Sequence, residues 1–230
     1  MNAYLTFNFF GYEQVNPPPT GVPEDFYFIY ATNTKEDYDK AKEMGWVAIM
    51  VGRKENDPSD IRQFVGKFKT YPETFCPSLG DFDKLFITDS DVIKLDSGYG
   101  EFIKLCLADN EKELYATSGY YSGGRNNIQA ELIASINQGR WAYDRENMIE
   151  ATSRYIHELK KWSIPVVSAK FIAWNMKRKG PIAMEYLEES MKHLQGNIIL
   201  SYLAEKYPES IMIYTGFKND VIQSRHKAER

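Results

Sequence analysis

The hydrophobic positions of this chain fall into short apolar runs, spaced by longer stretches with a helical period. Residues 3–9 are apolar and aromatic over a length that fits a buried strand, ended by Gly11 and a loop carrying Pro17, Pro18 and Pro19. Residues 26–30 predict a second strand, closed by Ala31, Thr32 and Asn33. Residues 35–44 read as a helix stopped by Gly45, and 46–51 as a third strand. Asp57 before Pro58 is a helix start, a polar cap followed by proline in the first turn. That helix runs to about Phe68, with Pro72 just beyond, and residues 83–88 form a fourth strand capped by Asp89, Ser90 and Asp91. The alternation continues with helices over 98–108, 126–137, 145–161, 181–191 and 198–206, and strands over 114–118, 165–173 and 211–214. Alternating strands and helices predict one α/β domain with a largely parallel sheet flanked by helices. The domain is expected over residues 1–217, with 218–230 a polar tail that frays or leads into a further domain.

Composition narrows the function classes. A chain of 230 residues is near the upper end for one domain and short for two. The net charge is -4, and Lys and Arg are scattered, so neither nucleic acid nor an anionic membrane surface is an expected partner. A small anionic ligand stays open, because a local basic cluster can sit on an acidic protein. Two cysteines, Cys76 and Cys106, make no disulfide framework and fit no zinc spacing, which points to buried or half-buried thiols in a reducing compartment. The first residues lack the basic segment and cleavage site of a signal peptide. No apolar run reaches the roughly 18–20 residues of a membrane span. A cytoplasmic protein is the expectation. The 14% aromatic content fits core packing and is also compatible with a ligand pocket.

The sharpest chemical signal is the apolar strand that runs into Asp89-Ser90-Asp91. Residues i and i+2 of an extended chain point to one side, about 7 Å apart at ~3.3 Å per residue. Magnesium and manganese are bound by one or two such carboxylates together with substrate phosphates. In an open α/β sheet the carboxyl ends of strands are where ligands bind. The plain alternative is that both aspartates only cap the next turn. Upstream stand Arg62, Lys67 and Lys69, the positive charge that a diphosphate leaving group needs. Lys67 and Lys69 are too close along a helix to share a face, so at most one reaches the phosphates. Downstream, Gly123 and Gly124 let backbone approach a ligand closely, and Arg125 with Asn126 and Asn127 can hydrogen-bond sugar hydroxyls. A solvated helix face and a plain loop with a cap at Asn126 are the bland readings of these two segments.

The order of elements resembles small glycosyltransferases of the GT-A type. The matching features are Phe10-Gly11-Tyr12 after the first strand, Lys67 and Lys69 before Pro72, and the strand 82–88 running into Asp-x-Asp. Ile164-Pro165-Val166 and a strand ending near Trp174 and Asn175 complete the layout. Similar domains occur in glycan-building enzymes of large algal viruses, bacteria and plants. The resemblance implies a Rossmann-like GT-A domain, a nucleoside-diphosphate sugar donor with UDP as the nucleotide, and a Mn or Mg cation at Asp89 and Asp91. It implies a glycan or glycoprotein acceptor approaching from the side of residues 170–175. It also implies that residues after the first two strands, among them Phe9, Tyr30, Thr32 and Asn33, line the nucleotide, with Ser90 beside it. One departure stands out: the chain has Gln195-Gly196-Asn197 where related enzymes carry an acid before a late helix, so the catalytic base stays open. His193 is a candidate to complete the metal shell or meet a phosphate, against a structural role at a helix end.

Other motifs fall away. Gly98-Tyr99-Gly100 lacks the third glycine of a dinucleotide fingerprint, and no phosphate loop or serine elbow is present. Three histidines leave little material for a hydrolase triad. The rival enzyme class is a phosphatase of the haloacid-dehalogenase type, which also ends a strand in Asp-x-Asp and would use Asp89 as nucleophile. Against it, such a motif usually opens the chain, and no late pair of aspartates finishes a magnesium site. A non-catalytic module that binds nucleotide sugars is the third reading.

Overall fold

A continuous apolar run suits a strand buried on both faces, and β1 (Asn2–Asn8) is buried from Ala3 onward. The structure is a computed structural model that describes residues 1–11, 13–23, 25–52, 58–90, 92–94, 97–119, 125–193, 195–216 and 223–224. After β1 come β2 (Tyr27–Thr32), α1 (Lys35–Glu43), β3 (Val47–Met50), α2 (Pro58–Thr70), β4 (Lys84–Asp89), β5 (Val92–Lys94) and α3 (Ser97–Ala108). The second half holds β6 (Leu114–Ser118), α4 (Ile128–Ile136), α5 (Arg145–Leu159), β7 (Val167–Asn175), α6 (Pro181–Lys192), α7 (Gly196–Lys206), β8 (Ile211–Tyr214) and β9 (Gln223–Ser224).

Seven strands form one sheet in the order β3-β2-β1-β4-β7-β6-β8. β1 lies parallel to β2 and β4, and β2 parallel to β3. β7 alone is reversed, antiparallel to both β4 and β6, while β6 and β8 run parallel. The sheet is thus mostly parallel, as the alternation of elements predicts. Helices cover both faces. On one, Leu5, Phe7, Leu85 and Ile87 pack with Phe64 and Phe68 of α2, Tyr186 of α6 and Ile199 of α7. On the other, Tyr4, Tyr30 and Phe86 pack with Ala41 of α1, Trp46, and Phe102 and Ile103 of α3.

Caps set several helix starts. Thr34 caps α1 by accepting from the Asp37 amide, and Asn127 caps α4 by accepting from the Ala130 amide at 2.9 Å. At α6 the cap comes from another element: Glu113 Oε1 accepts from the amides of Gly180 and Ala183 at 2.8 and 2.9 Å.

Gln223–Ser224 pairs antiparallel with Val92–Lys94, two residues past Ser90, and the remaining residues of 218–230 lie outside the described residues. Cys106 is buried and Cys76 half-buried, both free thiols, and burial pushes the Cys106 thiol up. Among the described residues, no helix is long and apolar enough to cross a membrane.

Candidate functional site

Parallel strands leave their C-terminal ends on one edge. From β1 the chain turns to β2 and β3 on one side, and it places β4 on the other. The strand order reverses between β1 and β4, and the carboxyl ends of strands at such a reversal are where open α/β sheets take ligands. Asp89 pairs with Phe7 there, and Asn8 pairs with Thr32. The Asp89 side chain, at the last position of β4, is 42% exposed.

Lys69 supplies the opposite charge. Trp174 holds the end of α2 by donating its indole N–H to the Lys69 carbonyl at 2.8 Å. The Lys69 stem lies against the Phe7 ring, 5.5 Å from ammonium to centroid, and only 12% of the side chain is exposed. Its ammonium lies 2.6 Å from Asp89 Oδ1 and donates to the Ala169 carbonyl at 3.3 Å. An ammonium has three donors, and these two partners leave one for a ligand. Lys67 is exposed, because positions two apart on a helix point to different sides. Arg62 lies on α2, with its side chain outside the described residues.

The ends of β1 and β2 lie along the same edge. Phe10 and Gly11 are both left-handed, each with φ 63, and the Asn33 side chain accepts from the Phe10 amide at 2.7 Å. A bulky residue in that region costs of order 1–3 kcal/mol and persists only when its surroundings enforce it. Asn8 donates to the Glu13 carbonyl at 2.7 Å and to Asp37 Oδ2 at 3.0 Å, and accepts from the Glu13 amide at 3.0 Å. The Thr32 hydroxyl accepts from the Thr34 amide at 3.2 Å. Ser90 is buried, and its carbonyl accepts from the Asn16 amide group at 3.2 Å. The Trp46 indole in turn donates to the Asn16 carbonyl at 2.7 Å, which pins the proline-rich loop beside the aspartate.

Several expected contacts lie elsewhere. Phe9 turns its ring into the core against Phe7, Phe64 and Phe68. Residues 5, 7 and 9 share one face of an extended chain and all are apolar, so the strand period already carried that signal. Tyr30 is buried beside Trp46, and burial, and then the charge of Asp37, push its phenol up. Asn175 lies at the opposite edge, because β7 is reversed: Thr88 pairs with Phe171 and Lys84 with Asn175. Only the Lys170 end of the expected acceptor side is near Asp89. Asp91, Gly123 and Gly124 lie outside the described residues.

His193 closes the C-terminal end of α6. Nε2 meets the Tyr155 hydroxyl at 2.9 Å and Nδ1 accepts from the Gln195 amide at 3.4 Å, so both nitrogens the metal role would need are engaged. Tyr155 also donates to Glu189, which Arg154 pairs. Burial lowers the His193 pKa from 6.5 to about 4. The folded state therefore holds the neutral ring. The stability this contributes is full above pH 6.5 and is lost as pH falls toward 4. Each unit in that window removes about 1.4 kcal/mol, so the wild type should lose about 2 kcal/mol by pH 5. Urea unfolding at pH 7 and 5 should find that loss in the wild type and a flatter profile in His193→Gln. Equal slopes would contradict the buried neutral imidazole.

A second polar cluster lies beyond Lys69. The Asn197 side chain accepts from the Ala169 amide at 2.9 Å and donates to Glu131 Oε1 at 3.0 Å. Glu131 Oε2 faces the Arg125 guanidinium at 3.6 Å. Gln195 caps α7 by accepting from the Asn197 amide at 3.3 Å and donates to the Ser135 hydroxyl at 2.6 Å. A continuous path of polar contacts thus joins Asp89 to Arg125 through Lys69, Ala169, Asn197 and Glu131.

No family model matches the chain, and no curated protein matches it. Among solved structures, a CMP:2-keto-3-deoxy-manno-octonic acid synthetase complexed with CTP is 12% identical, with a TM-score of 0.47 over 93% of this chain and 89% of that one. Mouse xyloside xylosyltransferase 1, apo form, is 9% identical, with a TM-score of 0.48 over 83% of this chain and 71% of that one. Neither likeness carries a residue role or an activity to this chain. Its own topology and edge chemistry define an α/β protein with a mostly parallel sheet and an acid-ended strand at the reversal of strand order.

Proposed function

We propose that this chain is a glycosyltransferase of the GT-A type, moving a sugar from a nucleoside-diphosphate sugar to a hydroxyl of a glycan or glycoprotein. UDP is the proposed nucleotide. The observation that carries the reading is the half-exposed Asp89 carboxylate at the C-terminal end of β4, beside β1, with the ammonium of the largely buried Lys69 side chain 2.6 Å away. One acid and one base at a switch point suit a ligand that brings both a cation and a diphosphate.

Asp89 and Asp91 are the proposed holders of Mn or Mg. The donor chemistry fits: two carboxylates one residue apart are a partial shell of the kind these ions take with substrate phosphates. Among the described residues no group of three His, Cys, Asp or Glu gathers into a fuller one. Such a cation, when bound, neutralises charge on the leaving diphosphate. Lys69 turns its free donor to the same oxygens, and Arg62 adds charge from α2. Asn33, Thr32 and the Phe10-Gly11 turn shape the nucleotide side. Ser90, whose carbonyl Asn16 holds, lines the nucleotide beside Asp89. Arg125 binds the sugar or its phosphate, and Gly123 and Gly124, outside the described residues, are the proposed backbone contacts to the sugar. Lys170 marks the side from which the acceptor approaches.

A thermal-shift panel tests this. A ligand that binds only the folded state adds ~2.7 kcal/mol at a hundredfold excess over its dissociation constant. UDP-sugar with Mn should raise the melting temperature by several degrees, and the rise should shrink without metal. A flat response to every nucleotide sugar would sink the assignment.

A further inference from the structure

Glu131 is 2% exposed, and α4 does not need its side chain as a cap, since Asn127 fills that place. A carboxylate removed from water needs donors on both oxygens. Oε1 has one, the Asn197 amide at 3.0 Å. Among the described residues Oε2 accepts no hydrogen bond, and it ion-pairs with Arg125 Nη1 at 3.6 Å. One carboxylate oxygen is thus fixed by Asn197 and the other is ion-paired with Arg125.

Resting on the reading of the site as a nucleotide-sugar site, we infer that Glu131 is the positioning residue for Arg125. Through this ion pair it holds the guanidinium in the orientation that meets the donor's anionic or hydroxyl groups. Asn197 fixes the carboxylate, and Ala169 fixes Asn197. The same Ala169 accepts from Lys69 through its carbonyl. The arginine and the lysine are therefore held from one point of β7, on the two sides of the donor. Glu131 acts through Arg125 and does not itself touch the substrate.

A double-mutant cycle tests this. UDP-sugar affinity with Mn is measured by calorimetry for the wild type, Glu131→Gln, Arg125→Ala and the double variant. Glutamine keeps the Oε1 acceptor for Asn197 and removes the charge that orients Arg125. Expected is a roughly tenfold loss of affinity for Glu131→Gln, at an unliganded melting temperature close to the wild type's. Arg125→Ala should lose at least as much, and the double variant no more than Arg125→Ala alone. Losses that multiply in the double variant overturn the inference, as does Glu131→Gln or Arg125→Ala binding as the wild type does. If Glu131→Gln does not fold, the cycle is run with Glu131→Asp, whose shorter carboxylate keeps its charge but does not reach Arg125; the same criteria decide. A wild type that binds no UDP-sugar overturns the proposed function together with this inference, whereas a binding wild type with an additive cycle overturns this inference alone.

Discussion

Lys69→Ala is expected to weaken UDP-sugar binding in Mn by roughly 10- to 100-fold, while Lys67→Ala leaves it unchanged. A hydrogen bond to a charged group contributes about 1.5–3 kcal/mol, and 1.4 kcal/mol is a tenfold change in affinity. The two residues differ only in direction. Lys69 passes over Phe7 to reach Asp89 and Ala169, and Lys67 ends in solvent. The same substitution has an opposite sign for the metal alone. Without the ammonium beside it, Asp89 keeps its full negative charge for a cation, so Mn affinity in the absence of donor should hold or rise. Fold stability should barely move, because an ion pair with one half-exposed partner contributes on the order of 0–1 kcal/mol. Calorimetric titrations of Mn and of UDP-sugar separate these effects. Equal losses for both lysines, or no loss for Lys69→Ala, would remove Lys69 from the diphosphate site.

Asp91→Asn should abolish the Mn-dependent part of the UDP-sugar thermal shift, up to ~2.7 kcal/mol at a hundredfold excess of ligand. Removing one anionic ligand from a hard dication lowers affinity for the ion and for the phosphates it bridges. Asp89→Asn should act in the same sense, more mildly, since Lys69 already neutralises part of the Asp89 charge. The phosphatase reading predicts a different outcome. There Asp89 attacks phosphorus, so Asp89→Asn would stop turnover while still binding metal, and fluoride analogues would trap a phospho-aspartate state. Hydrolysis of UDP-sugar is therefore compared with hydrolysis of simple phosphomonoesters for the wild type and both variants. Mn-dependent release of UDP and free sugar supports transfer to water as a surrogate acceptor. Brisk phosphomonoester hydrolysis without UDP-sugar turnover would overturn the glycosyltransferase reading.

Much of the architecture was legible in local pattern. The strands expected over 114–118 and 211–214 match β6 and β8, and the strand before Asp-x-Asp appears one residue later as β4, so Asp89 itself closes the ladder. Strand direction was not legible, because a period of two is the same read forward or backward. The reversal of β7 is a property of the whole sheet, and it moves Asn175 away from the candidate site. Helical spacing showed that Lys67 and Lys69 diverge but not which one turns in. That depends on Trp174, 105 residues away, gripping the end of α2. Glu131 and Asn197 meet across 66 residues, and no local motif marks either one. His193 reads as a ligand type in sequence, and only the packing of Tyr155 and Gln195 around it shows a buried, engaged ring.

The place of β4 in the sheet also bears on how the chain folds. β1, β2 and β3 are near neighbours in sequence and can pair after short loop closures. β4 must find β1 across a long intervening chain, as in the Thr6–Thr88 contact that spans 82 residues, and it pairs with β7 over a comparable distance. Contacts of such long range form slowly, since the closure entropy comes before the pairing energy. The helices and the β1–β3 unit can be in place while this seam is still open. Asp89 sits at the end of β4, which pairs with β1 and β7 across those long separations, so its meeting with Lys69 is among the last features to assemble. In refolding, ligand binding would then lag behind the recovery of helix content, and it would be the sharper signal that folding is complete.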